Sequence, residues 1–206
     1  MKSLPISDAH TVFLIDDDPA VRDSLALLLG LKGYRTQPFA RAEDFLALLD
    51  GENASALSGC VVSDIRMPGI SGLELQEAAH ARGCALPFIV VTAHGDAASA
   101  RTAFRNHAID FLEKPFDNAA LIAAIEEGFA RERQRLAGAA GSQRLATLTP
   151  REHEIALLLG RGLGNREISD QLGISHRTVE VHKARLMQKL AVDSLAELMH
   201  LLSGAA

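Results

Sequence analysis

The sequence predicts a five-stranded, parallel, doubly wound α/β domain followed by a small all-α domain of four helices. In residues 1–130 short apolar runs alternate five times with longer helical patterns, the order that sandwiches a parallel sheet between helices. Runs such as VFLI at 12–15 and FIVV at 88–91 are apolar at consecutive positions, as strands buried on both faces must be. From about residue 147 the strand signals stop and helix-start signals recur.

The α/β elements follow in order. VFLID at 12–16 is a strand, and Asp18 before Pro19 opens the helix PAVRDSLALLLGLKG, so Asp18 reads as a cap and not as a ligand. TQPF at 36–39, CVVSD at 60–64, PFIVVT at 87–92 and DFLE at 110–113 are the other strands. Between them lie helices at 42–50, 73–83 and about 97–106, and an apolar helix starts at 117. That last helix turns charged after Phe129 and runs into GAAGSQ at 138–143, whose glycines and serine mark a linker. The predicted division is therefore a first domain over 1–130, a helical extension or linker over 131–146 and a second domain over 147–206.

The second domain is punctuated by caps. Thr149, Pro150 and Glu152 form a threonine cap, a first-turn proline and a glutamate at the third helical position. Asn165 is expected to cap a helix running to Leu172, Gly173 to take a left-handed turn, and Ser175 and Ser194 to cap two more helices. About 60 residues is near the lower limit for a domain folding alone.

Length and composition allow this division. The 206 residues suffice for two cores, and 48% hydrophobic with 23% charged residues is ordinary for a globular chain. No apolar run approaches the roughly 20 residues of a membrane span, and MKSLPISDAH has no secretory core, so a cytoplasmic protein without membrane contact is expected. Cys60 and Cys84 lack metal or redox spacing and read as buried thiols. The net charge of −5 is uneven: residues 1–130 hold 10 basic and 18 acidic side chains, whereas 146–206 hold 7 of each. Within 175–190, Arg177, Lys183, Arg185 and Lys189 face a single acid, Glu180, a patch suited to phosphates.

Three carboxylates close the first and third strands: Asp16, Asp17 and Asp64. In a doubly wound sheet these carboxyl ends share one crevice. Mutual repulsion there calls for a cation, and hard oxygen donors suit Mg²⁺ or Mn²⁺. Such an ion can also neutralise an incoming phosphoryl group. Thr92 and Lys114, closing the fourth and fifth strands, add a hydroxyl and an ammonium for the phosphoryl oxygens.

DDDP, SDIRMPGISG, VVTAHGD and DFLEKPF, in this order and spacing, resemble the signature of two-component receiver domains, a flavodoxin-like fold. The resemblance implies that Asp64 is phosphorylated by a sensor histidine kinase. It makes Asp17 and Asp64 the side-chain metal ligands, adds the backbone carbonyl of Arg66, and gives Asp16 a role through water. It also implies that Lys114 pairs with the phosphoryl group, that Thr92 draws its loop inward, that Phe111 is the aromatic that changes position, and that a cis peptide precedes Pro115. Arg66 and His94, two residues beyond the acceptor and the threonine, flank the path of a hydrolytic water and are candidates for setting the phosphate's lifetime.

LTPREHEIALLLGRGLGNREISDQLGISHRTVEVHKARLMQKL is similar to the helix-turn-helix domain of LuxR-type and NarL/FixJ-type regulators, with HGD, EKPF and TVEVH pointing to the FixJ-type branch. Ile168, Leu172 and Ile174 are expected to pack on Val179, Leu186 and Leu190, which leaves the outer face of the third helix for a major groove. Arg177, Glu180, Val181, Ala184, Arg185 and Gln188 lie on that face, with His176 at its start. Lys183 and Lys189 are expected at phosphates, and His182 in packing or at a phosphate. The resemblance further implies homodimerisation on phosphorylation, with Arg101, Arg105 and Glu126 as interface candidates, and binding to double-stranded promoter DNA, where RNA polymerase is a partner. Two other readings fit part of the pattern: an output domain that binds protein or RNA, and an aspartyl-phosphate hydrolase.

Overall fold

The computed structural model describes residues 11–51 and 57–204; the N-terminal segment read above for a secretory signal lies outside them. Five strands, β1 (Thr11–Ile15), β2 (Arg35–Phe39), β3 (Gly59–Asp64), β4 (Phe88–Thr92) and β5 (Ala108–Glu113), alternate with α1 (Pro19–Leu31), α2 (Ala42–Gly51), α3 (Gly72–Ala81), α4 (Ala97–Arg105) and α5 (Asn118–Ala146). All pairings are parallel in the order β2-β1-β3-β4-β5. Side chains alternate across the sheet. Phe13, Ile15 and Val61 meet Phe45, Leu49 and Leu75 of α2 and α3, while Val12, Leu14, Val62 and Ile89 meet Leu29 of α1 and Leu121 and Ile125 of α5. Cys60 and Cys84 are buried and free, and burial pushes the Cys60 thiol far up, which keeps it protonated.

The chain divides into two compact units, Met1–Arg133 and Gln134–Ala206. The division falls inside α5, which stays helical through the GAAGSQ segment expected to be a linker. Its glycines act in packing. A Cβ at Gly138 would stand 2.9 Å from the Gly204 carbonyl oxygen, and one at Gly141 would stand 3.8 Å from Leu201 Cγ. Residues of α9 (Leu195–Gly204) thus lie directly on this stretch of helix.

The second unit holds α6 (Pro150–Gly160), α7 (Asn165–Leu172) and α8 (His176–Leu190) beside α9. The Thr149–Glu152 capping box forms as expected, Gly173 is left-handed at φ 62°, and Ser175 and Ser194 accept from Thr178 N–H and Glu197 N–H. The expectation for Asn165 is corrected: Gly164 is the cap residue and Asn165 begins the helix. Glycine has no side chain to cap with, so the Glu167 carboxylate reaches back to the Gly164 N–H at 2.7 Å. Ile155, Leu159, Ile168, Val179, Leu186 and Leu190 form the core, flanked by Leu172 and Ile174.

Candidate functional site

At the carboxyl edge of the first unit's sheet, the chain leaves β1, β3, β4 and β5 at Asp16, Asp64, Thr92 and Lys114 in turn. Lys114 gathers two of these positions, its Nζ standing 2.6 Å from Asp16 Oδ2 and 3.0 Å from Asp64 Oδ1. The carboxylates are 4% and 6% exposed as residues, so water screens this triad poorly. Burial pushes the Asp64 carboxyl above its usual range against the opposing pull of Lys114. Burial also lowers the Lys114 ammonium, but hydrogen bonds and charge from Asp16 and Asp64 outweigh it and leave the group above its ordinary value. At pH 7 the lysine is charged.

Backbone groups hold the acids in place. Arg66 N–H donates to Asp64 Oδ2 at 2.9 Å and Asp18 N–H to Asp16 Oδ1 at 2.9 Å, while Arg22 donates to the Asp16 carbonyl at 2.6 Å. The side chain of Asp18 caps α1 through Ala20 N–H, as expected. Thr92 is fully buried, and its hydroxyl accepts from His94 N–H at 3.2 Å, inside the loop it is expected to move. Phe111 is half-buried against Val90, Ala103 and Ala108. The Lys114–Pro115 peptide is cis.

Asp17 stands apart: it is solvent-exposed, and among the described residues no three acidic, histidine or cysteine side chains converge closely enough to hold a metal ion. Asp16 and Asp64 still match a hard divalent cation in chemistry, since one ammonium leaves the two carboxylates with a net negative charge. Receiver domains in general bind Mg²⁺ at such an acidic pocket. Arg66 and His94 are both exposed.

Two features of this pocket escape a reading of residue types. A Cβ at Gly72 would lie 2.0 Å from the Asp64 carbonyl oxygen, so only glycine lets α3 begin against the end of β3. Glu113 Oε1 accepts from Gly95 N–H at 3.2 Å, and a Cβ at Gly95 would stand 3.3 Å from the Phe111 ring, which ties the loop after β4 to the end of β5. The glycine in PGISG and the acid beside Lys114 were the available signals. Glu126, expected at a dimer edge, faces Tyr34, whose hydroxyl donates to it at 3.3 Å.

In the second unit α8 presents one exposed face carrying Arg177, Glu180, Val181, Ala184, Arg185 and Gln188. His176 Nδ1 lies 3.5 Å from Glu180 Oε1. Lys183 is half-buried, and the buried Nδ1 of His182 has no hydrogen-bond partner among the described residues. Lys189, itself exposed, donates to the buried Glu152 Oε2 at 2.6 Å.

Known proteins match both units of the chain. Residues 12–126 match the response regulator receiver domain, and residues 146–202 match bacterial regulatory proteins of the luxR family. The transcriptional regulatory protein FixJ of Azorhizobium caulinodans is 45% identical over 95% of this chain and 93% of its own length. The transcriptional regulatory protein TdiR of Thauera aromatica is 40% identical over 97% and 88%. Among solved structures, full-length FixJ from B. japonicum matches with a TM-score of 0.59 at 40% identity, covering 97% of this chain and 98% of that one. The response regulator StyR reaches 0.70 at 41% identity over 95% and 98%. None of the described helices is long and apolar enough to cross a membrane. With both units matched over nearly their full extent, the chain belongs to the FixJ-like two-component response regulators, transcription regulators that couple a phosphorylated receiver domain to a LuxR-type DNA-binding domain.

Proposed function

We propose that Asp64 is the phosphoacceptor of this regulator, supplied by a sensor histidine kinase in the cytoplasm. The observation that carries this reading is the buried pair Asp16 and Asp64 bridged by Lys114 at the sheet's carboxyl edge. A carboxylate oxygen of Asp64 attacks phosphorus as the bond to the donor histidine breaks, and the Lys114 ammonium is within reach of the new phosphoryl oxygens. A divalent cation, Mg²⁺ or Mn²⁺, would be held by Asp17, Asp64 and the Arg66 carbonyl with help from Asp16, and would supply further neutralisation of those oxygens. Thr92 turns its hydroxyl from His94 toward the phosphoryl group, and Phe111 moves into the space released. Arg66 and His94 then govern hydrolysis of the acyl phosphate.

The same reading takes α8 into the major groove of promoter DNA. Arg177 and Arg185 reach guanine or phosphate, Glu180 accepts from cytosine, and Val181 meets a thymine methyl; Ala184 and Gln188 complete the face, while His176 and Lys183 serve backbone phosphates. Phosphorylation promotes homodimerisation of the receiver, with Arg101 and Arg105 at its edge, which presents two reading helices to two half-sites near RNA polymerase.

Wild type and Asp64→Ala, each with Mg²⁺, are compared by mass, sedimentation and duplex-DNA binding before and after a small acyl-phosphate donor. Gains in all three by wild type alone are expected. Equal behaviour of the two chains defeats Asp64 as the switch, and a preference for RNA over duplex with a flat salt dependence defeats the DNA reading.

A further inference from the structure

Four basic residues stand on α8, and they are not equivalent. Arg177, Lys183 and Arg185 have no ion-pair partner among the described residues. Lys189 is 2.6 Å from Glu152 Oε2, and that glutamate side chain is 4% exposed. The same oxygen accepts the Thr149 N–H at 2.8 Å, so one carboxylate fastens α8 to the first turn of α6. At about 100° per residue, Lys189 lies roughly 100° round the helix from the middle of the exposed face, beside the strip occupied by Val179, Leu186 and Leu190.

The end of α8 is fixed by further bonds. Arg144 Nη1 donates to the Leu190 carbonyl at 3.2 Å, one of the orphan acceptors at a helix C-terminus, where a cation also suits the dipole. Ala191 follows at φ 50°, a left-handed conformation that a residue with a Cβ adopts only at a cost. It persists because Ala191 N–H and Val192 N–H bond Gln188 and Met187 carbonyls and Val192 is buried in the core. Strain retained where several contacts determine one geometry marks a position that is held, not merely occupied.

Resting on the reading of α8 as the DNA-contacting helix, we propose that Lys189, with Arg144 and Glu152, is a positioning residue that sets the rotation of α8 toward the groove and does not itself bind DNA phosphate. A lysine committed to a buried carboxylate releases few counterions when DNA arrives, so its removal leaves the salt dependence alone. It lets the helix roll, so contacts that need a bidentate fit to a base edge weaken while diffuse attraction to the backbone persists.

The test uses the full phosphorylated chain and two probes: a duplex selected by wild type from a random pool, and an unselected duplex of equal length. Lys189→Met and Glu152→Gln are each expected to lose about tenfold in affinity for the selected duplex, with less than roughly twofold change on the other and no change in the slope of log affinity against log salt. Lys189→Arg, which keeps the ion pair, restores selection. Glu152→Gln separates the alternatives by sign: it frees the Lys189 charge, so a phosphate-binding lysine then gives tighter binding to both duplexes and a steeper slope. Arg144→Met, which leaves the core intact, is expected to lose selection by about threefold in the same pattern and stands in should Lys189→Met melt. Parallel losses on both duplexes, a slope lowered by about one in Lys189→Met, or unchanged selection in all variants overturns the positioning role. A wild type that selects no duplex overturns the DNA reading, and the positioning role with it.

Discussion

The two units use cations in opposite ways. In the first, one lysine is drawn inward between two carboxylates that lie 98 and 50 residues from it in sequence. In the second, three basic residues on a single helix have no ion-pair partner among the described residues and are exposed or half-exposed. A site assembled from four strand ends fails as a whole when one member is lost, whereas a surface laid along one helix loses its function in increments. The contrast teaches that phosphoryl chemistry depends on convergence and DNA affinity on summation.

The largest loss is expected from Lys114→Met. Removing the ammonium leaves Asp16 and Asp64 uncompensated in a buried site, expected to cost the receiver roughly 3 kcal/mol in urea unfolding, with phosphorylation lost as well. A chain of unchanged stability would mean that the pair is effectively solvated. Next come Arg177→Ala and Arg185→Ala in the second unit. Each is expected to lower the salt slope by about one and selected-duplex affinity by about tenfold, with their losses adding; losses far beyond additivity would place these residues in a convergent site after all.

Asp64→Asn acts in the other direction. Because burial raises the Asp64 carboxyl, its charged form opposes folding: the contribution is fully present below the unfolded value and is lost as pH rises through the folded one. The variant is therefore expected to melt higher than wild type at neutral pH while losing the phosphoryl group; a lower melting point would show that the Lys114 attraction prevails. The smallest effect belongs to Glu152, whose carboxyl is held down to about 2, first by Lys189 and then by the Thr149 N–H. Its stabilising effect is present above about pH 4.5 and fades as pH falls toward 2. Melting of the second unit between those limits should be flatter with pH in Glu152→Gln than in wild type.

Much of the architecture was legible because strand ends and helix caps are local in sequence. VFLI and FIVV announced strands buried on both faces, and Thr149–Glu152 announced a helix whose box forms as read. What escaped were choices made in three dimensions. Adjacent acids carry one label, yet Asp16 turns to Lys114 and Asp17 to solvent, a matter of which way the backbone leaves β1. Glycine reads as a break, yet Gly138 and Gly141 continue α5 because α9 lies close against them. Charge marks Lys189 as a cation, and only packing brings it to Glu152. Residue type proposed the candidates, and backbone direction selected among them.

The half-buried lysine of the receiver also has a spectroscopic consequence. The chain contains five lysines, and an ammonium hydrogen-bonded to two enclosed carboxylates exchanges its protons with water far more slowly than one at the surface. With nitrogen-15 placed only in lysine, Lys114 should stand out as a resolved ammonium resonance at low temperature, with Lys189 as its counterpart in the other unit. Arrival of a phosphoryl group replaces a carboxylate partner of the first and leaves the second untouched, so one label reports on each half of the molecule while the other acts as its internal reference.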